Sequence, residues 1–121
     1  EMLKKYNQID IALDPFPYSG VTTSFESVWM GVPLLTKKGN NFYSRIGVSI
    51  NKNLGMDDWI ANNEKDYSTK ILKLTSDFNQ LSQTRKCLIN KVDSSTLFDS
   101  SLFADNFNKI LWKIWEKFTT K

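Results

Sequence analysis

Two hydroxyls and a carboxylate, Thr22, Thr23 and Glu26, stand directly after a Pro- and Gly-containing loop, DPFPYSG at 14–20. If a helix opens there, its free amides and positive dipole end attract an anion, and the two hydroxyls add donors beside them. An acid one turn further on can accept from the hydroxyls of a sugar. That chemistry is the binding of a phosphate and a sugar. Thr23 and Glu26 also fit the S/T-x-x-E capping box, which needs no ligand, and for these residues alone capping is the commoner outcome. Asp14, just before Pro15, suits a turn-backbone acceptor equally well.

A second loop, 37–44, brings Lys37, Lys38 and Gly39, with Arg45 immediately after it. Lys37 and Lys38 read first as a solvated turn and only second as anion contacts. Arg45 is divided evenly between an anion contact and an ion-pair or helix-cap role. Trp112 and Trp115 suggest a stacking platform, but beside an apolar stripe they are expected to be packing residues. Asp57 and Asp58 read as an N-cap and its solvated neighbour rather than as metal ligands.

These groups need elements to position them. The β-branched run at 9–14, bounded by Pro15 and Pro17, reads as a strand, and 22–30 as a helix stopped by Gly31. Residues 32–36 read as a second strand, so strand, helix and strand over 9–37 predict a parallel pair joined by a right-handed crossover. Both loops then lie at the carboxyl edge of the sheet, where open parallel sheets bind ligands. Two strands do not make a stable sheet, so further strands are expected upstream of Glu1, and the segment 1–6 reads as part of a helix.

The remainder, 43–118, reads as helical. Segments 43–53 (stopped by Gly55), 57–62, 64–74 (capped by Asn63), 77–90 (capped by Ser76) and 100–118 are expected, with a polar loop at 92–99. The last helix carries Phe103, Phe107, Ile110, Leu111, Ile114 and Phe118 in one apolar stripe. The fold class is therefore α/β, a Rossmann-like parallel sheet followed by a helical portion.

Composition narrows the function. The chain has no histidine and a single cysteine, Cys87, which excludes a Ser-His-Asp triad, a Cys-His dyad and a His-bearing zinc site within these 121 residues. A net charge of +3 with dispersed lysines and no arginine-rich, aromatic-laced stripe gives no support for nucleic-acid binding. No apolar run is long enough for a membrane span. The lone cysteine points to a reducing, cytoplasmic compartment. A hydrophobic content of 40% supports a packed core rather than disorder.

The order of residues resembles the C-terminal part of the protein O-linked sugar transferases of glycosyltransferase family 41, the O-GlcNAc transferase and SPINDLY-like proteins. The resemblance is carried by DIALDPFPYSG at 10–20, Thr22 and Thr23, and ESVWMGVP at 26–33. It continues through Ser44 and Arg45, Leu54 and Gly55, Ile60 and Ala61, Tyr67, Leu97 and Phe98, and the Trp-bearing final helix. It implies a GT-B architecture of two Rossmann-like halves, with 1–121 as the last portion of the donor-binding half. It also implies an N-terminal catalytic half and tetratricopeptide repeats upstream in the same polypeptide. Gly20, Thr22 and Thr23 would hold the diphosphate of a nucleotide sugar and Glu26 its ribose, while Lys37, Lys38 and Arg45 remain second-tier candidates. The chain departs from the O-GlcNAc transferase pattern at Val21, where that enzyme has His, and at Glu26, where it has Asp.

The resemblance implies transfer of a sugar to hydroxyls of a protein acceptor. The donor would be a UDP-sugar such as UDP-GlcNAc, with a GDP-sugar left open. No cofactor and no metal are called for, since fixed N–H donors, hydroxyls and a helix dipole can stabilise the leaving diphosphate. No catalytic residue is expected in this segment. By itself it should bind nucleotide with about 4 kcal/mol, or millimolar affinity, and catalyse nothing. Three alternatives remain compatible with the residues: a GT-B transferase acting on polysaccharide or lipid-linked glycan, a non-catalytic phosphate-binding module, and a helical interaction module.

Overall fold

A computed structural model describes residues 2–120. A 3-10 turn, Leu3–Gln8, leads into strand β1 (Ala12–Leu13), helix α1 (Thr22–Trp29) and strand β2 (Leu34–Lys37). Helix α2 (Ile46–Asn53) and a second 3-10 turn, Asp57–Trp59, precede strand β3 (Ile60–Ala61). Helices α3 (Glu64–Thr75), α4 (Phe78–Ser94) and α5 (Ser100–Thr119) complete the chain, with a 3-10 turn Thr96–Phe98 between the last two.

The sheet has the order β1-β2-β3 and is parallel throughout, with Ala12 opposite Leu34 and Thr36 opposite Ile60. The expected strand–helix–strand unit, β1–α1–β2, is present, and β2 is the central strand of the sheet. Leu34, Leu35 and Thr36 are buried in succession because α1, α2 and α3 all pack against β2. A strand covered on both faces carries a continuous buried run instead of an alternating one. Gly31, at φ +72°, makes the turn from α1 into β2 in a conformation that a side chain disfavours.

Four expectations are corrected. The third strand comes from 60–61, a segment expected to be helical; two residues are too short for any alternation to register. Helix α2 begins at Ile46 rather than 43, because Asn41 Oδ1 accepts from the Ser44 amide at 2.9 Å and holds residues 41–44 in a turn. Helix α4 is capped by Asp77, not Ser76, through the Gln80 amide at 3.0 Å. It also runs on to Ser94 instead of ending at 90, since Val92 continues the buried stripe of Leu81 and Leu88. The Asn63 cap on α3 is as expected, with the Asp66 amide at 2.9 Å.

Helix α5 starts where expected, capped by Asp99, but none of its residues is buried. Trp112 and Trp115 are 65% and 57% exposed, so among the described residues they are not packing residues. The apolar stripe is real as a pattern. Its side chains meet one another, as in the Phe103–Phe107 stack, and line an open groove of about 680 Å³ along Leu111, Trp112, Ile114, Trp115 and Phe118.

Candidate functional site

The carboxyl edge of β1 is organised by Asp14, which is only 2% exposed. Its Oδ1 accepts from the Gly20 amide at 2.8 Å and lies 3.4 Å from Ser24 Oγ; its Oδ2 accepts from Thr36 Oγ1 at 2.6 Å. Asp14 thus fixes the loop 15–20 at both ends and ties it to β2. A buried carboxylate is tolerable because several donors meet it, and hydrogen bonds to a charged acceptor are the strong ones. Gly47 lets α2 approach this cluster, since a Cβ there would sit 2.5 Å from Thr36 Oγ1. Asp14 was read from the sequence as a turn-backbone acceptor, and one of its bonds is of that kind. The bonds to Ser24 and Thr36, ten and twenty-two residues away, leave no local signal.

Tyr67, on α3, closes the same corner by donating to the Asp14 carbonyl at 3.2 Å. Burial pushes its hydroxyl above the ordinary tyrosine range, and the Asp14 charge adds to the effect. Phe16 packs edge-on against Tyr67, and Lys37 Nζ lies 3.8 Å above the Phe16 ring.

Helix α1 opens at Thr22 with Val21 at its N-cap and no side-chain cap. The S/T-x-x-E pattern therefore does not form the capping box that its spacing allows. Among the described residues the amides of the first turn have no side-chain partner, the condition under which a helix start can take an anion. Glu26 instead accepts from the Tyr6 hydroxyl at 3.3 Å.

Of the first-tier residues, Gly20, Thr23 and Glu26 line one cavity of about 540 Å³, together with Tyr6, Asp14 and Ser24. Thr22 is exposed at the start of the helix. The amide of Gly20 is already engaged by Asp14.

The second-tier residues separate from this cavity. Lys37 and Lys38 line a neighbouring basin of about 700 Å³ with Asn41, Asn63, Glu64 and Lys65. Lys37 is not the solvated turn residue expected: it ends β2 with its side chain 18% exposed and its Nζ 3.1 Å from Glu64 Oε1. Arg45 is exposed at the N-cap position of α2, makes no side-chain cap, and among the described residues forms no ion pair. Asp57 pairs with Lys52, which holds its carboxyl below the usual carboxylate range. Among the described residues no three potential metal ligands cluster, and no helix is long and apolar enough to cross a membrane.

Comparison with known proteins bears on the family and the fold. A family model described as glycosyl transferase family 41 matches residues 1–107. A tomato (Solanum lycopersicum) protein, the probable UDP-N-acetylglucosamine–peptide N-acetylglucosaminyltransferase SPINDLY, is 36% identical over 116 residues, 96% of this chain. The UDP-N-acetylglucosamine–peptide N-acetylglucosaminyltransferase of Caenorhabditis elegans is 25% identical over 118 residues. The chain spans 12% of the length of the first and 10% of the second. Among solved structures, a mutant O-GlcNAc transferase from Thermobaculum terrenum superposes with a TM-score of 0.89 at 32% identity, over 96% of this chain and 22% of that one.

Proposed function

The chain belongs to glycosyl transferase family 41, and from that premise we propose that it is part of the donor-binding half of a glycosyltransferase. The donor is a UDP-sugar of the UDP-N-acetylglucosamine kind, which the names of the relatives favour, and the acceptor is a protein hydroxyl. The observation that carries the proposal is the cavity where Gly20, Thr23 and Glu26 converge beside an uncapped helix start. The rest of the transferase, including the half that supplies catalytic groups and any tetratricopeptide repeats, lies in polypeptide beyond these residues.

Each residue has a distinct part. Asp14 and Gly20 set the turn that aims the chain into α1. Thr22, Thr23 and the first-turn amides receive the diphosphate, whose charge grows as the sugar leaves. Donors fixed in advance stabilise that charge without reorganising at the moment of reaction. Val21 contributes no charge or proton, so at this helix start hydroxyls and amides are the donors. Glu26 accepts from the ribose hydroxyls. Lys37, already held by Glu64 and Phe16, has at most an indirect influence, and Lys38 and Arg45 stand outside the cavity.

The test is a binding and turnover series on the full-length polypeptide that carries this chain. Glu26→Ala should weaken UDP binding about tenfold or more, the loss expected for hydrogen bonds to a charged acceptor. Unchanged affinity for both UDP and GDP in that variant would remove Glu26 from the donor site. Preference for GDP over UDP would keep the site and replace the donor.

A further inference from the structure

We propose that Tyr6 is a positioning residue for Glu26, holding its carboxylate for the donor's ribose from the segment that precedes β1. The proposal rests on Glu26 being the ribose acceptor and adds a residue that no motif at 14–26 contains.

Tyr6 lies on the 3-10 turn Leu3–Gln8 and is the one buried residue of that turn, 9% exposed. Its hydroxyl has two acceptors, Glu26 Oε2 at 3.3 Å and the Thr23 carbonyl at 3.4 Å. Tyr6, Thr23 and Glu26 line the same cavity. One phenol thus touches the acid that would receive the ribose and the backbone of a residue that would receive the diphosphate.

A glutamate has three side-chain torsions, and fixing them costs free energy when a ligand binds. A donor that already engages Oε2 removes part of that cost. Oε1 has no partner among the described residues, and a carboxylate oxygen accepts through two lone pairs. Oε1 and the remaining lone pair of Oε2 therefore suffice for two adjacent hydroxyls. The distances are long for O–H···O bonds, and hydrogen bonds of this kind commonly tighten on ligand binding. Burial and the Glu26 charge both push the Tyr6 hydroxyl above its ordinary value, so it stays protonated and remains a donor throughout the neutral range.

The experiment uses the full-length polypeptide, with Tyr6→Phe, Glu26→Ala and the double variant, each checked by thermal melting. Tyr6→Phe keeps the ring and removes only the donor. Affinity is measured for UDP and, as a probe without ribose, for inorganic pyrophosphate. Tyr6→Phe is expected to weaken UDP binding about three- to tenfold, raise KM for the sugar nucleotide to match, and leave kcat and pyrophosphate affinity nearly unchanged. In the Glu26→Ala background it should add nothing. UDP affinity unchanged by Tyr6→Phe but weakened by Glu26→Ala would overturn the role of Tyr6 and leave the donor site intact. Equal weakening of UDP and pyrophosphate, or an undiminished effect in the double variant, would make Tyr6 a packing residue. If Glu26→Ala itself leaves UDP affinity unchanged, the donor-site assignment fails along with this role.

Discussion

At the scale of single residues, Asp14 and the tyrosines around it carry the most specific consequences. Removing the Asp14 carboxylate strands the Gly20 amide and the Thr36 hydroxyl. Asp14→Ala should therefore cost about 2–4 kcal/mol in chemical denaturation. Asp14→Asn keeps one acceptor and should cost roughly half as much. Tyr67 gives a pH signature. Its hydroxyl is raised in the folded state by burial, with a smaller push from Asp14, so the unfolded chain releases its proton first. The stability it contributes is complete below about pH 10, the ordinary tyrosine value, and is lost as pH rises through the folded value. Melting temperature should fall above that pH, and Tyr67→Phe should flatten the fall. A slope as steep in the variant as in the parent would exclude Tyr67 as its source.

At the scale of elements, the sheet depends on short strands whose neighbours hold them in place. Asn51 on α2 donates from Nδ2 to the Leu34 carbonyl at 2.8 Å and the Trp59 carbonyl at 3.1 Å, joining β2 to the turn before β3. Its Oδ1 is buried without a partner, and turning the amide over would set an oxygen against two carbonyls. Asn51→Ala should cost about 2–3 kcal/mol, and Asn51→Asp more, because a buried carboxylate would then face those carbonyls. Denaturation midpoints in the opposite order would show that the amide is not the link. Much of this layer was legible beforehand: α1 and β2 follow from Thr22, Gly31 and Pro33, and the α3 cap from Asn63. The strand β3 was not, because two residues carry no period and only pairing with Thr36 and Lys37 makes them a strand.

At the scale of the whole molecule, the core lies between the sheet and α1 to α4, while α5 stands outside it. Truncation after Asp99 should therefore leave the melting midpoint of this chain within about 2 °C, since Leu97 and Phe98, which do pack on the core, are retained. Exposed apolar surface on this scale favours association. The intact chain should show concentration-dependent self-association by light scattering that the truncated chain lacks. A large loss of stability on truncation would mean that α5 packs against the core in solution.

By itself, the sequence determined the α/β class, the parallel crossover, the family, and the loop that places Gly20, Thr22, Thr23 and Glu26 at a helix start. These depend on local residue order, where prolines, glycines and caps act within a few positions of themselves. The tertiary structure decided which of those groups meet. Asp14 gathers donors from Gly20, Ser24 and Thr36, Tyr6 reaches across to Glu26, Lys37 turns to Glu64, and the final stripe stays uncovered. Lys37 and Glu64 are twenty-seven positions apart, and Tyr67 reaches the Asp14 carbonyl across fifty-three. Such contacts form because the sheet brings separate loops to one edge, a closure that no pattern within either loop records.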